Sequence, residues 1–333
     1  MVTKIGIDLG SANTLIYLKD NGIILSAPTV ISIDKNTGKD LCFGSQAKKM
    51  LGKTPKNIKV SRPVREGVIA DMDDTTLFIS RLLDKAELVS FLSRPDAYAC
   101  VPTKSTEVER RALQSAIYEA GTRNVHLVQE PLAAAVGAGL KVLSARGCMI
   151  VDIGEGTTET AVISLCEIVV SRSQKIAGAN LDRAIMNYFH NERRIEIGEL
   201  TAERLKIKIG TAHPKLDRGE HQVFGRNLNN GMAIASTATS KEIYYAIKPT
   251  LASTVHQIRL TLEATPPELT SDVVSNGIVL TGGGALLPGI ADYVSAELKM
   301  KVSVAPKPLE SVCIGIGKMI ESEGELNKIL VKE

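Results

Sequence analysis

Tryptophan is absent from the 333 residues and aromatic side chains together make up only 4%, although hydrophobic residues reach 44%. The cores must therefore be built from Ile, Leu, Val and Ala, as in mixed α/β folds. Charge of one sign is missing too: 40 Lys and Arg against 37 Asp and Glu leave a formal net charge of +3. With both signs mixed along the chain there is no one-signed face of the kind nucleic acid requires, so no nucleic-acid partner is expected, while a local basic surface for another partner stays open. Cys42, Cys100, Cys148, Cys166 and Cys313 are odd in number, widely spaced and mostly inside apolar runs. They read as reduced core residues, with the cytosol as the natural compartment. His126, His190, His213, His221 and His256 have no metal-ligand spacing, there is no Cys–His cluster, and nothing points to nucleophilic catalysis. No apolar run approaches the roughly 20 residues that span a bilayer. The strand-like Lys4-Ile5-Gly6-Ile7 follows Met1 so closely that neither a signal peptide nor an N-terminal amphipathic helix is expected. Any membrane contact is expected to be peripheral.

What is present is an alternation of strand-type and helix-type patterns, which predicts an α/β architecture, and a length that suggests about two lobes. The informative feature is an internal similarity. Ile7-Asp8-Leu9-Gly10-Ser11-Ala12-Asn13-Thr14 and Val151-Asp152-Ile153-Gly154-Glu155-Gly156-Thr157-Thr158 both read apolar, Asp, apolar, Gly, x, small, x, Thr. Each follows an apolar strand and precedes another strand-like run (15–18 and 160–165), so each is a strand–turn–strand unit. The 144-residue offset (152 minus 8) suggests a duplicated lobe. A third cluster, Thr281-Gly282-Gly283-Gly284, follows the strand-like 277–280 and precedes a helical pattern from Ala285 onward.

Small residues after Asp8 and Asp152 free backbone N–H groups to face phosphate oxygens. Two carboxylates beside a polyphosphate repel it unless a hard cation lies between, so the pair implies Mg²⁺ held through water. Either turn alone is equally well an ordinary Asp-Gly hairpin; the shared pattern and the third cluster favour nucleotide. Gly282, Gly283 and Gly284 read as a second-lobe surface for base and ribose in preference to a plain strand-to-helix turn. Ala47-Lys48-Lys49-Met50-Leu51-Gly52-Lys53-Thr54 satisfies a loose P-loop pattern, but 46–51 reads as a short helix closed by Gly52 and is structural. Glu130, between the strand-like 125–128 and an Ala-rich helix at 132–139, has two readings of equal weight on spacing alone. It is a helix N-terminal carboxylate, or it accepts a hydrogen bond from a water attacking a γ-phosphate, with the Thr157 hydroxyl as second anchor. Phe91-Leu92, just before Arg94-Pro95, is either core or an exposed membrane or partner contact.

Taken together, the turns, the Glu130-Pro131-Leu132-Ala133-Ala134-Ala135 segment, Arg62-Pro63-Val64-Arg65-Glu66-Gly67, Val108-Glu109-Arg110-Arg111, Thr201-Ala202-Glu203-Arg204-Leu205-Lys206, Pro266-Pro267-Glu268-Leu269 and the glycine triplet resemble the actin, Hsp70 and hexokinase ATPase superfamily. Within it they resemble the MreB family of bacterial actins, over nearly the whole chain. The resemblance implies an actin-like (ribonuclease H-like) α/β fold with duplicated lobes and four subdomains around a nucleotide cleft. Subdomain IA would comprise 1–32, 75–146 and 312–333, IB 33–74, IIA 147–181 and 244–311, and IIB 182–243.

The same resemblance implies phosphate contacts at Ser11, Asn13, Thr14, Gly154, Gly156 and Thr157, and cation-side carboxylates at Asp8 and Asp152. It also implies ribose and base contacts at Glu203 and Lys206, with Gly178 kept at the cleft and Gly282, Gly283 and Gly284 facing the nucleotide. The spacing from Glu130 to Thr157 matches the family's water-positioning pair and tips both toward catalysis. Phe91 and Leu92 match a hydrophobic loop pressed into the inner face of the membrane, with Lys85 and Arg94 near anionic headgroups. Two residues depart from the family pattern. Glu155 replaces the usual glycine of the second phosphate turn, and either lies near the phosphates or points away. Asn180 replaces a common lysine. The implied function is a cytoplasmic cytoskeletal ATPase, peripheral at the inner membrane face, that binds ATP or ADP with Mg²⁺, hydrolyses slowly and self-assembles head to tail into paired actin-like filaments, with membrane-protein partners open, and that governs cell shape, or motility in a wall-less cell. Its competing readings are a small-molecule kinase on the same cleft and a filament scaffold whose hydrolysis Glu155 weakens.

Overall fold

The computed structural model describes residues 2–90, 93–322 and Leu326. Two five-stranded sheets carry the architecture. The first runs, in spatial order, Asn124–Gln129, Asp96–Val101, Lys4–Leu9, Asn13–Leu18 and Gly22–Pro28. The second runs Val302–Val304, Ile278–Thr281, Cys148–Ile153, Thr158–Ser164 and Glu167–Gln174. In both, the Asp-bearing strand pairs antiparallel with the next strand and parallel with a later one. The registers repeat as well: Asp8 lies opposite Leu15, and Asp152 opposite Glu159. Both offsets are 144 residues (152 minus 8, 159 minus 15), so the duplication seen in the sequence is a duplication of topology.

Among the described residues three smaller sheets are inserted between the main strands. Ile31–Asp34, Asp40–Phe43 and Ile58–Ser61 form one, and the two-stranded Val64–Arg65 and Val68–Ile69 follows it. Ile195–Glu196, Glu220–Asn227 and Ala233–Thr239 form the other, in the second half of the chain.

Helix boundaries follow local chemistry. Asp71 caps Met72–Lys85 by accepting from the Asp74 N–H at 3.0 Å. Thr106 with Glu109, and Thr239 with Glu242, form capping boxes that start Glu107–Glu119 and Ser240–Glu263. The loose P-loop segment is the helix Ser45–Met50, followed by Gly52 at φ +71°. The helical pattern after the glycine triplet is interrupted: a 3₁₀ turn, Gly283–Leu286, comes first, and Pro288 and left-handed Gly289 delay the helix to Ile290–Leu298. All five cysteines are free thiols, with Cys100, Cys148 and Cys313 buried. No helix among the described residues is long and apolar enough to cross a membrane.

Each main sheet has its own aliphatic core, built around Ile5, Ile7, Ile16, Leu82 and Ile117 in the first lobe and Val151, Val162, Ile185, Leu205 and Ile247 in the second. A third cluster joins them, bringing Cys100 and Val128 of the first sheet together with Ile150 and Ile163 of the second. Its centre is the crossing of helices Glu130–Gly137 and Ser311–Glu321. A Cβ added at Gly137 would lie 1.7 Å from the Ser311 carbonyl oxygen, and one at Gly315 would lie 1.8 Å from that of Ala133. The two helices therefore touch backbone to backbone. This contact lies near the cleft, because the first of these helices begins at Glu130, whose side chain lines the cavity between the lobes.

Candidate functional site

Between the lobes lies a cavity of about 440 Å³, within the range that encloses a nucleotide-sized ligand. Its floor is made by the two equivalent turns. The Gly10 N–H donates to the Asn13 carbonyl at 3.1 Å, and the Gly154 N–H donates to the Thr157 carbonyl at 2.9 Å. Side-chain-free positions are needed here, since a Cβ at Gly10 would approach the Asn13 carbonyl oxygen to 2.8 Å. The carbonyls of Gly154 and Glu155 accept from the Gly178 and Ala179 N–H groups, at 3.0 and 2.8 Å. The second turn is thus seated on the start of helix Gly178–Glu192. Asn180 contributes to that helix start by accepting from the Ala177 N–H at 3.0 Å.

Asp8, Asp152 and Glu130 all line the cavity. Burial pushes the Asp8 carboxyl up to about 7. Asp152 is raised as well, by burial first and then by the charges of Asp8 and Glu159. Glu130 is held well above the usual carboxylate range by burial, reinforced by Asp152, Glu159 and Asp8. Glu159, packed behind and hydrogen-bonded by the Thr103 hydroxyl at 2.8 Å, is raised by its burial despite those bonds. Carboxylates crowded in this way need a cation or a proton between them. No group of three or more His, Cys, Asp or Glu is arranged for direct metal ligation among the described residues. An all-oxygen donor set with room around it fits a hydrated hard cation better than a directly caged one.

The cavity also has apolar walls, Ile207, Leu286, Pro308 and Leu309 among them. Gly282 and Gly284 pack closely on the second Asp-bearing strand. Gly282 has φ +80°, and a Cβ there would fall 2.3 Å from Asp152 Oδ1; one at Gly284 would fall 2.3 Å from Ile153 Cγ2. The triplet therefore packs against the second Asp-bearing strand while Gly282, Gly283 and Gly284 all line the cavity. Glu203 and Lys206 line it too, but both are engaged within the protein. Lys48 of the first lobe reaches Glu203 at 2.8 Å. The Lys206 ammonium donates to Asp182 at 2.8 Å and to the Gly178 carbonyl at 3.1 Å. Burial raises Asp182 to about 6, against the lowering effect of Lys206.

Of the residues singled out from the sequence, Ser11, Asn13, Gly156, Thr157 and Gly178 also line the cavity. Thr14 does not: it is fully buried, its hydroxyl 2.9 Å from that of Thr29. As the second residue of its strand it faces the interior while Asn13 faces the cavity. Phe91 and Leu92 lie outside the described residues.

Sequence reasoning missed the segment 62–67 as part of the site. The Gly67 N–H donates to Ser11 Oγ at 3.2 Å. A Cβ on Gly156 would meet the Glu66 Cα at 2.7 Å. The segment is thus wedged against both turns. Glu155, whose direction the sequence left open, is turned toward this segment and bonded by Arg62 at 2.7 Å. The signal was available in the run Arg62-Pro63-Val64-Arg65-Glu66-Gly67, but its proximity to residues about 90 positions away was not.

Duplicated sheets, paired glycine turns at their Asp-bearing strands and a cavity between them lined by Asp8, Glu130 and Asp152 define the actin-like class of two-lobed nucleotide-binding folds. The MreB/Mbl protein family model matches residues 2–328, and the chain belongs to that family. Cell shape-determining protein Mbl of Bacillus subtilis (strain 168) is 42% identical over 324 residues, covering 97% of each chain. Cell shape-determining protein MreB of Escherichia coli (strain K12) is 44% identical over 322 residues, covering 95% of this chain and 93% of the relative. The crystal structure of MreB5 of Spiroplasma citri bound to AMPPNP superposes with a TM-score of 0.90 at 33% identity, covering 95% of both chains. A MamK double helical filament, at 19% identity and a TM-score of 0.81, shares the fold.

Proposed function

We propose that this chain is a cytoskeletal ATPase that determines cell shape by polymerising, head to tail, into actin-like filaments. The observation that carries this reading is the pair of equivalent turns facing one cavity with Glu130 between the lobes. The AMPPNP-bound and ADP-bound MreB5 structures support ATP and ADP as its ligands. In this reading the backbone N–H groups of the two turns, with Ser11, Asn13, Gly154, Gly156 and Thr157, bind the phosphates. Ile207, Leu286 and Leu309 flank the base, and Glu203 and Lys206 stand at the ribose side. Asp8 and Asp152 would hold Mg²⁺ through water, and the ion would offset phosphate charge in the transition state. Glu130 and Thr157 orient the attacking water. Catalysis is then mostly positioning, and turnover is slow.

The chain divides in this reading into IA (1–32, 75–146, 312–333), IB (33–74), IIA (147–181, 244–311) and IIB (182–243), and ATP draws the lobes together. Attachment at the inner face of the membrane, through Phe91 and Leu92, belongs to the same proposal. Sedimentation and negative-stain microscopy with ATP and Mg²⁺ test it. Filaments whose assembly depends on nucleotide are expected; a chain that stays monomeric across protein and salt concentrations would sink the reading. Co-sedimentation with anionic vesicles, compared with Phe91→Ser/Leu92→Ser, tests the membrane contact.

A further inference from the structure

Glu155 places a carboxylate in the second phosphate turn, lining the cavity, where its charge would oppose a polyphosphate. That charge is met from the other lobe. Arg62 Nη1 donates to Glu155 Oε1 at 2.7 Å, while Nη2 of the same guanidinium lies 2.7 Å from Glu199 Oε1. The Arg62 and Glu155 side chains are only 16% and 19% exposed, so the pair is largely withdrawn from water. Arg62 directly follows strand Ile58–Ser61, and Glu199 opens the helix Glu199–Ile209 that also carries Glu203 and Lys206. One side chain therefore connects a first-lobe strand, the second phosphate turn and a second-lobe helix. Beyond Arg62 the backbone at Glu66 and Gly67 fits so tightly against Gly156 and Thr157 that a Cβ on Gly67 would lie 3.0 Å from Thr157 Cγ2.

We propose that Arg62 is a positioning residue for the triphosphate: by binding Glu155 across the cleft it neutralises the carboxylate of the second phosphate turn and fixes that turn for phosphate. This rests on the nucleotide reading above. A planar guanidinium suits the task because two of its nitrogens serve two carboxylates at once, which an ammonium point charge does less well. Without Arg62, the Glu155 carboxylate stands unpaired beside the phosphates, and removing one partner of a shielded pair costs more than removing both.

The test compares ATP affinity and phosphate release in the full-length wild type, Arg62→Gln, Arg62→Lys and Arg62→Gln/Glu155→Gly, with thermal unfolding of each. Arg62→Gln is expected to weaken ATP binding about tenfold or more, and Arg62→Lys to fall between it and the wild type. The double variant is expected to recover most of the loss, a rescue that a purely structural role for Arg62 does not produce. If Arg62→Gln binds ATP as the wild type does, or the folded double variant binds no better than Arg62→Gln, the proposal is overturned. Should Arg62→Gln fail to melt cooperatively, the double variant decides alone: binding within about threefold of the wild type supports the proposal, and a larger loss overturns it. A wild type that does not bind ATP would instead remove the nucleotide reading itself.

Discussion

Gly282 illustrates how little freedom the site leaves to single residues. Its left-handed backbone, at φ +80°, is costly for any L side chain, and a Cβ would collide with Asp152 Oδ1 at 2.3 Å. Gly282→Ala is therefore expected to displace Asp152 and weaken nucleotide binding by roughly tenfold or more, measured by titration with a fluorescent ATP analogue. Glu130 belongs to the same scale. It is half-buried beside Asp152, Glu159 and Asp8, where it can hold a water but is a poor site for a stable charge unless a cation is near. Glu130→Ala is expected to lower phosphate release about a hundredfold while ATP binding survives. Unchanged release in that variant would remove the catalytic role.

At the scale of elements, the cluster that joins the two sheets is centred on the crossing of Glu130–Gly137 with Ser311–Glu321. Gly315 has the Ala133 carbonyl oxygen 1.8 Å from where a Cβ would sit, and Gly137 is equally confined. Neither helix has a flexible side chain at the contact that could yield, so a methyl group must push the backbones apart. Gly315→Ala is expected to destabilise the fold by about 3 kcal/mol, read as a lower midpoint in urea unfolding with little change in m-value. The same crossing carries Glu130 on its first turn, so partly folded variants should lose phosphate release before they lose secondary structure.

Across the whole molecule, the carboxylates between the lobes link stability to pH. Asp8 carries its proton up to about 7 in the folded chain, against 3.8 ordinarily. The folded state thus binds more protons than the unfolded state between these values, and the stability of the nucleotide-free chain falls as pH rises from about 4 through 7. Asp152, Glu130 and Glu159 are shifted in the same direction. In chelator, the melting temperature is expected to be roughly 2–4 °C or more lower at pH 8 than at pH 6. With ATP and Mg²⁺ the difference should shrink, because the cation favours the ionised carboxylates. A melting temperature that rises with pH in chelator would contradict this electrostatic account.

Much of this was legible in the sequence by itself. The 144-residue repeat pointed to the duplicated lobe and to the paired strand–turn–strand units, because such units are specified by contacts between neighbours in sequence. Family resemblance carried Glu130, Thr157 and the glycine triplet to the same cavity. The tertiary structure alone decided which residues share that cavity and in what state. It seated Thr14 in the interior against Thr29, engaged Glu203 with Lys48 and Lys206 with Asp182, and turned Glu155 onto Arg62. Each of these outcomes depends on charges and hydroxyls brought together from segments distant in the chain. A local pattern specifies backbone conformation, but the partner of a side chain is set only when the lobes close on each other.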